Sequence, residues 1–272
     1  MKTKNKIIKI IERFEFISSL YFRIYNQITG DRNGLDLKGV RIKKNKIFNN
    51  GNGNKITGGQ KNVICNNIIR VDGIQNTISF GDNVEIIGEN KQSFYVKGNN
   101  NIIRIDSNCV IRDTSFFISG DDNNICISEK GSSMSVEFHV EGNKNVICVG
   151  AGTTMHGRGA RTIHIAVDEG TRVDIGKDCM FSNDIQIRTS DSHSIIDLEG
   201  KRLNYAKDII IGNHCWIGLG CILTKGTKLS DCTVLGAGSV CTREFEQQCV
   251  SIAGNPAKII KSEINWDRKI LS

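Results

Sequence analysis

Histidine is the residue type in this chain best suited to proton transfer. Five are present, at His139, His156, His164, His193 and His214. An imidazole with an ordinary pKa of about 6.5 can accept a proton at neutral pH and act as a general base. A zinc site made of three converging histidines would need two of them close in sequence, and the nearest pair, His156 and His164, does not have the required spacing. His139 and His164 lie in alternating, strand-like runs and are expected to be packing or surface residues. We therefore expect base chemistry and no bound metal.

The position of His193 makes it the strongest candidate for the base. It ends a series of positions spaced six residues apart that begins at Ile175. The stretch 194–207 fits no such spacing and is predicted to be an extruded loop, where functional sites are often built. Asp191 lies close by and either orients the His193 ring or is simply an exposed loop carboxylate.

The six-residue spacing continues after this loop. The positions that share it are mostly apolar, and several are followed by glycine: Ile211, Ile217, Leu223, Leu229, Leu235 and Cys241. One inward apolar residue in every six predicts one flat side of a triangular coil, so three such units would close one turn.

A longer repeat covers the first half of the chain. Glycine begins a Gly-x-x-Asn group at Gly51, Gly73, Gly98, Gly120 and Gly142, with the asparagines at Asn54, Asn76, Asn101, Asn123 and Asn145. Apolar positions recur with it in three columns: Ile103, Ile125 and Ile147; Ile105, Ile127 and Val149; Val96, Ile118 and Val140. This pattern predicts a solenoid whose strands stack about 4.8 Å apart, with each asparagine bonded to its copy in the next coil.

Composition agrees with a β-rich protein. The chain has 28 glycines and one proline, so its turns depend on Gly and Asn while its strand N–H groups remain free to pair. Its ten cysteines form no C-x-x-C pair and are expected to be reduced thiols of a cytosolic protein. The net charge of +7 is scattered without a nucleic-acid-binding motif, so no nucleic-acid partner is expected. No secretory signal and no run of about 20 apolar residues is present.

The chain divides into four predicted segments. Residues 1–28 carry an apolar stripe at helical spacing and an excess of lysine and arginine, which predicts an amphipathic helix. This helix would pack on the protein or on a neighbouring subunit, or would lie on the inner face of a membrane. Residues 29–50 are predicted to connect it to a β-helix domain at 51–260, and residues 261–272 to form a C-terminal tail.

Three motifs in unbroken six-residue register resemble the hexapeptide-repeat acyltransferases. They are Ile211-Gly-Asn-His-Cys-Trp-Ile-Gly-Leu-Gly, Val234-Leu-Gly-Ala-Gly-Ser-Val and Ala253-Gly-Asn-Pro-Ala-Lys-Ile-Ile-Lys. The segment Thr189-Ser-Asp-Ser-His-Ser-Ile-Ile-Asp looks most like the branch that O-acetylates bacterial surface glycans, including capsular and sialic acid-containing polymers. The resemblance implies an all-β left-handed parallel β-helix, a homotrimer with sites between subunits, and acetyl-CoA as the acetyl donor.

The same resemblance assigns roles to particular residues. It places His193 at the catalytic position, and Trp216 either beside the acceptor or the pantetheine arm, or in packing at a subunit junction. Asp191 and His214 are further candidates for contact with the substrate. The positions that match coenzyme contacts are Gly220, Ala237, Thr242, Arg243, Lys258 and Lys261. Two departures from the family pattern are Leu219, where Ser or Gly is common, and the 242–246 turn, which lacks the usual proline.

Two functions fit these observations. The first is O-acetylation of a surface polysaccharide, for which an anionic acceptor would suit the net charge. The second is N-acetylation of a nucleotide-linked amino sugar, but residues 1–165 show neither βαβ alternation nor a glycine-rich phosphate loop. A metal enzyme on the same scaffold and a solenoid that only binds are both disfavoured. We expect a cytoplasmic protein, located at the inner membrane face if residues 1–28 bind lipid.

Overall fold

The computed structural model describes residues 28–29, 33–37, 39–89, 92–158 and 162–271. All regular secondary structure in these residues is β-strand. The predicted amphipathic helix over residues 1–28 lies outside them, apart from Ile28. Within the described ranges no helix has the length and apolar character needed to cross a membrane.

Three sheets of parallel strands form three faces of a solenoid, and successive strands of the chain occupy the faces in turn. The first face contains β1 (Ile28–Thr29), β4 (Lys46–Asn52), β7 (Ile68–Ile74), β10 (Gln92–Lys97), β13 (Ser115–Ser119), β16 (Val136–Glu141), β19 (Ile163–Val167), β22 (Ile185–Arg188), β25 (Ile222–Thr224) and β28 (Val240–Cys241). The second face contains β2 (Gly34–Asp36), β5 (Lys55–Gly58), β8 (Thr77–Phe80), β11 (Ile102–Ile105), β14 (Asn124–Ile127), β17 (Val146–Val149), β20 (Arg172–Ile175), β23 (Ile209–Ile211), β26 (Lys228–Leu229) and β29 (Glu244–Phe245).

The third face ends in the one antiparallel pair between named strands of the described residues. It contains β3 (Arg41–Lys43), β6 (Val63–Cys65), β9 (Glu85–Ile87), β12 (Val110–Arg112), β15 (Ser132–Met134), β18 (Thr154–His156), β21 (Met180–Phe181), β24 (Trp216–Ile217), β27 (Val234–Leu235), β30 (Ser251–Gly254) and β31 (Ala257–Lys261). The last two strands pair antiparallel and close this end of the coil.

Apolar columns run along the inside of the solenoid because equivalent residues pair in register from coil to coil. The predicted column of Ile103, Ile125 and Ile147 is confirmed on β11, β14 and β17, and all three side chains are buried. The second and third predicted columns also pair in register. Phe94, Phe116 and Phe138 form a further column whose rings stack 4.8 and 5.0 Å apart. These columns confirm an all-β parallel solenoid, the predicted fold class.

A buried asparagine ladder follows one corner of the solenoid. The side-chain oxygen of Asn101 accepts hydrogen bonds from the backbone N–H and the side-chain amide of Asn123, both at 3.0 Å. Asn145 donates to Asn123 in the same way, at 2.9 and 3.0 Å. Asn54 and Asn76 extend the ladder. The asparagines thus satisfy buried backbone groups where the chain turns.

Glycine is required beside this ladder. Gly120 has a φ of +142°, and a Cβ there would lie 1.9 Å from the carbonyl oxygen of Gly142 in the next coil. Any side chain would therefore both strain the backbone and clash with the neighbouring turn.

One predicted boundary differs from the structure. Residues 29–50 were predicted to be a connection, but β2, β3 and most of β4 already pair with the coil that follows. Short repeats with few apolar residues conceal these strands in the sequence. At the other end, the segment after the last strand is held on the coil, because Trp266 is buried and its indole N–H donates to the carbonyl oxygen of His214. No disulfide joins the described cysteines.

Candidate active site

The predicted extruded loop is confirmed between β22 and β23, at the corner from the first to the second face. The outgoing and returning segments of the loop contact each other. The N–H of Leu203 donates to the carbonyl oxygen of Ile195 at 2.8 Å, and Ile196 forms an antiparallel β-bridge with Arg202. The N–H of Lys207 donates to the carbonyl oxygen of Thr189 at 3.0 Å and closes the base of the loop. The loop is therefore an ordered arm anchored on the scaffold.

Asn204 fixes the backbone around His193. This side chain is buried, unlike most of the loop. Its amide donates to the carbonyl oxygen of His193 at 2.8 Å and to the carboxylate of Asp191 at 2.7 Å. Its oxygen accepts a hydrogen bond from the N–H of Ile195 at 2.7 Å. The Asn204 side chain thus bonds to Asp191 before His193, to the carbonyl of His193 itself and to the N–H of Ile195 after it.

Asp191 belongs to this anchor. Its carboxylate pairs with the ammonium of Lys225 from the next coil, which also donates to the carbonyl oxygen of Asn204 at 3.1 Å. Lys225 and then the amide of Asn204 hold the pKa of Asp191 below its ordinary value. Asp191 makes no hydrogen bond to the His193 ring and is linked to the His193 backbone through the amide of Asn204.

The imidazole of His193 is exposed at the mouth of the loop. Within the described residues it makes no hydrogen bond, ion pair or ring contact. Both ring nitrogens can therefore meet an incoming hydroxyl, while Asn204 holds the backbone still. This combination of a free ring and a fixed backbone is what a general base requires.

Two of the predicted coenzyme residues share a corner with His193. Thr242 and Arg243 follow β28 two coils farther along, and both are exposed. The Arg243 guanidinium lies 5.0 Å from the ring centre of Phe245. Together with Lys225 it provides cations along this corner.

Two others occupy a different corner, between the third and first faces. Gly220 and Ala237 are in successive coils there, and the N–H of Gly238 donates to the carbonyl oxygen of Leu219 at 2.7 Å. A Cβ added at Gly220 or Gly238 would meet nothing within 4 Å. This exposed backbone with small side chains fits the close approach of a pantetheine arm. Lys258 and Lys261 are exposed on β31, at the end of the third face.

His214 was a candidate for substrate contact, but the structure gives it another role. Its ring stacks on Trp266 with the ring centres 4.3 Å apart, and its Nδ1 lies 2.7 Å from a carboxylate oxygen of Asp178. Burial lowers the pKa of His214, but the bonds to Asp178 and to the carbonyl oxygen of Trp266 outweigh it and raise the pKa above its usual value. His214 therefore holds the C-terminal segment.

Arg268 completes this C-terminal contact. It donates to Thr154 Oγ1 at 2.8 Å and to the carbonyl oxygen of Cys179 at 3.0 Å. The guanidinium also pairs with the Asp178 carboxylate at 3.1 Å. The segment that follows the last strand is thus fixed across three coils of the third face.

Trp216 lies on the third face, 38% exposed, with its ring centre 6.0 Å from that of Trp266. His193 is at the corner between the first and second faces, whereas Trp216 is on the third face. A single chain therefore does not bring the two together. The predicted site residues therefore form two groups: His193, Asp191, Thr242 and Arg243 at one corner, and the remainder along the third face and its far corner.

Sequence reasoning missed Asn204, Lys225 and the Trp266 contact. Lys225 could have been found, because it follows Thr224, which pairs in register with Arg188 just before the loop. Asn204 lies in a stretch without repeat spacing, and Trp266 lies beyond the last repeat. No pattern pointed to either residue.

We expect Asn204→Ala to loosen the loop. It removes the four hydrogen bonds of this buried side chain, to Ile195, Arg202, Asp191 and His193, so local opening should become easier by an amount on the order of tenfold. Hydrogen exchange of residues 191–205 measures this, with the outward-facing Asn124→Ala as the control. Unchanged exchange in the loop would show that Asn204 is not its anchor.

No family model matches the chain. The polysialic acid O-acetyltransferase of Neisseria meningitidis is 35% identical over 199 residues, which are 73% of this chain and 88% of that protein. The polysialic acid O-acetyltransferase of Escherichia coli O1:K1 / APEC is 40% identical over 103 residues, which are 38% of this chain but only 33% of that protein.

Among solved structures, the crystal structure of the polySia specific acetyltransferase NeuO resembles this chain. It is 26% identical, and the similarity covers 89% of this chain and 84% of that one, with a TM-score of 0.49.

Proposed function

Because this chain belongs to the hexapeptide-repeat O-acetyltransferase family that contains the Neisseria meningitidis protein, we propose that it acetylates a hydroxyl of a capsular polysaccharide. The identity of 35% across most of that relative's length supports the assignment. Acetyl-CoA is the proposed donor. A polysaccharide is the proposed acceptor because both relatives are polysialic acid O-acetyltransferases.

His193 is the proposed general base. As the acceptor oxygen bonds to the acetyl carbonyl carbon, a ring nitrogen of His193 takes the hydroxyl proton. The proton then passes to the sulfur of the departing coenzyme, so the base returns to its starting state. The observation that carries this role is an exposed imidazole without a partner among the described residues, on a backbone held by Asn204.

The donor site proposed here uses both corners. Gly220 and Ala237 leave backbone open to the pantetheine arm, and Lys258 and Lys261 supply positive charge for the phosphates. Thr242 and Arg243 stand at the His193 corner. Because these groups lie apart in one chain, a second copy that brings its far corner to His193 would complete the site.

A homotrimer is the proposed assembly. The loop exposes five large apolar side chains: Ile195, Ile196, Leu198, Leu203 and Tyr205, each at least 57% exposed. Such a concentration of apolar surface is typical of a contact with another protein surface. In a trimer, the extruded loop of each copy would lie over the next copy.

The charge of the chain supports two further proposals, on the acceptor and on the location of the enzyme. A net charge of +7 favours an anionic polymer, and the loop corner carries Lys225 and Arg243. We place the enzyme in the cytoplasm. The basic residues 1–28 suggest the inner membrane face as the place where it meets the polymer.

A panel of acceptors tests the proposal. The full chain is given acetyl-CoA with polysialic acid, a neutral polysaccharide or a nucleotide-linked amino sugar, and release of the coenzyme thiol is followed. Mild alkali then distinguishes an O-acetyl ester, which it cleaves, from an N-acetyl amide, which survives. We expect alkali-labile acetyl groups on the anionic polymer.

Other outcomes would contradict specific parts of the proposal. Alkali-stable acetylation of the amino sugar alone would establish the N-acetyltransferase alternative. Turnover with the neutral polymer alone would overturn the anionic acceptor. No thiol release with any acceptor would remove the transferase assignment for these substrates.

A further inference from the structure

Two neighbouring strands of the first face present a cluster of histidine and glutamate on their outer surface. Glu137 and His139 lie two residues apart on β16 and therefore point to the same side. His164 on β19 pairs in register with Glu137. One ligand atom from each of the three residues lies within 4.8 Å of the other two, and all three residues are half-buried.

Hydrogen bonds fix which ring nitrogens face the centre of this cluster. His139 Nε2 lies 3.0 Å from a carboxylate oxygen of Glu141, so its Nδ1 is the nitrogen turned toward Glu137, at 3.6 Å. His164 Nδ1 lies 3.2 Å from Gln186 Oε1, which leaves its Nε2 available. Metal-binding histidines are typically held in this way, with the second nitrogen bonded to a carboxylate or a carbonyl oxygen.

Stacking fixes the ring of His139 further. Its centre lies 4.6 Å from that of Phe117, nearly parallel, and Phe117 stacks in turn on Tyr95. The ring of His164 stands edge-on to His139 at 5.8 Å. The nitrogen donors are therefore preorganised by packing, which reduces the ordering cost of binding.

The cluster opens into a cavity of about 240 Å³. Glu137, Glu141 and Asp168 give this cavity three carboxylates against the single guanidinium of Arg188. The excess of negative charge favours a cation. Ser190 and Ser192, which precede His193, also line the cavity.

We propose that Glu137, His139 and His164 bind one divalent transition-metal ion, with Glu141 and Gln186 orienting the two histidines. Two imidazoles and a carboxylate suit Zn²⁺ and related ions such as Co²⁺, and a water molecule from the cavity would fill the remaining position. The site is separate from the proposed base, and it departs from the sequence-based expectation of no metal. It does not rest on the transferase function.

Titration of the chelator-treated full chain with Co²⁺ tests the site, because its visible absorption reports the ligands. The ten cysteines are competing ligands, but thiolate binding would produce a charge-transfer band in the near ultraviolet. We expect one equivalent of Co²⁺ to bind without that band. His139→Gln and His164→Gln should each abolish this binding, and Glu141→Gln should weaken it by about 10- to 100-fold.

His156→Gln is the matched control, since His156 is an exposed histidine on the third face, bonded to Ser132 at 2.9 Å. It should bind Co²⁺ as the wild type does. The proposal is overturned by a thiolate band, by absence of stoichiometric binding to the wild type, or by equal binding in His139→Gln and His164→Gln. Circular dichroism of each variant establishes that the fold is intact.

Discussion

Replacing His193 with alanine should lower kcat for acetyl transfer by about 10²- to 10⁴-fold, the usual contribution of a positioned general base. The binding of acetyl-CoA should change little, because the substitution leaves every residue proposed to contact the coenzyme unchanged. The measurement is thiol release at saturating donor and acceptor, with the donor Kd determined separately by calorimetry.

The design separates loss of chemistry from loss of fold. The His193 side chain is exposed and makes no hydrogen bond, ion pair or ring contact with the described residues, so the variant should unfold at the same denaturant concentration as the wild type. His156→Ala, which removes an exposed histidine far from the loop, should retain full turnover. A His193→Ala enzyme with wild-type kcat would remove His193 as the base and leave the family assignment intact.

Replacing Asn123 with alanine should lower the free energy of unfolding by an amount on the order of 3 kcal/mol. The side-chain amide of Asn123 donates to Asn101 Oδ1 at 3.0 Å and to the carbonyl oxygen of Gly142 at 2.8 Å. Its oxygen accepts from the backbone N–H and the side-chain amide of Asn145. The substitution removes these partners from the carbonyl oxygen of Gly142 and the backbone N–H of Asn145 in the next coil, where water has little access.

Asn124→Ala is the control for this prediction, because the neighbouring side chain points out from β14 and is only half-buried. Its effect should stay within about 0.5 kcal/mol. Urea unfolding followed by circular dichroism gives both values, and the slope of the transition shows whether the coils still unfold together. Equal destabilisation by the two variants would mean that the ladder contributes no more than an exposed asparagine does.

The repeats predicted the scaffold well because each coil repeats the same physical problem. In each coil an apolar side chain such as Ile125 must point inward, and an asparagine such as Asn123 must hydrogen-bond the buried backbone groups of the corner. The same residue types therefore recur in the next coil. The step between equivalent residues therefore identifies the columns before any coordinates are known. The start of the coil was predicted too late for the same reason, since β2 and β3 contain few of these repeated residues.

The site could be predicted only in part. His193 stood out because it ends a regular series where the loop begins, and the structure leaves its ring free. The role of Asp191 could not be decided from its proximity in sequence, because Lys225 reaches it from the next coil. His214 was a candidate for substrate contact, and nothing in the six-residue pattern indicates that Trp266 returns to stack on it.

The sequence by itself therefore determined the coil, its inward columns, the extruded loop and the candidate base, since all of these depend on residue type at a fixed spacing. Only the tertiary structure decided which side chains meet outside the coil. His164 faces Glu137 because the step between β16 and β19 is longer than the common 22-residue step, and that register follows from how the strands pair. Outward contacts depend on the summed lengths of the turns between strands, and a repeat pattern of inward residues carries no information about them.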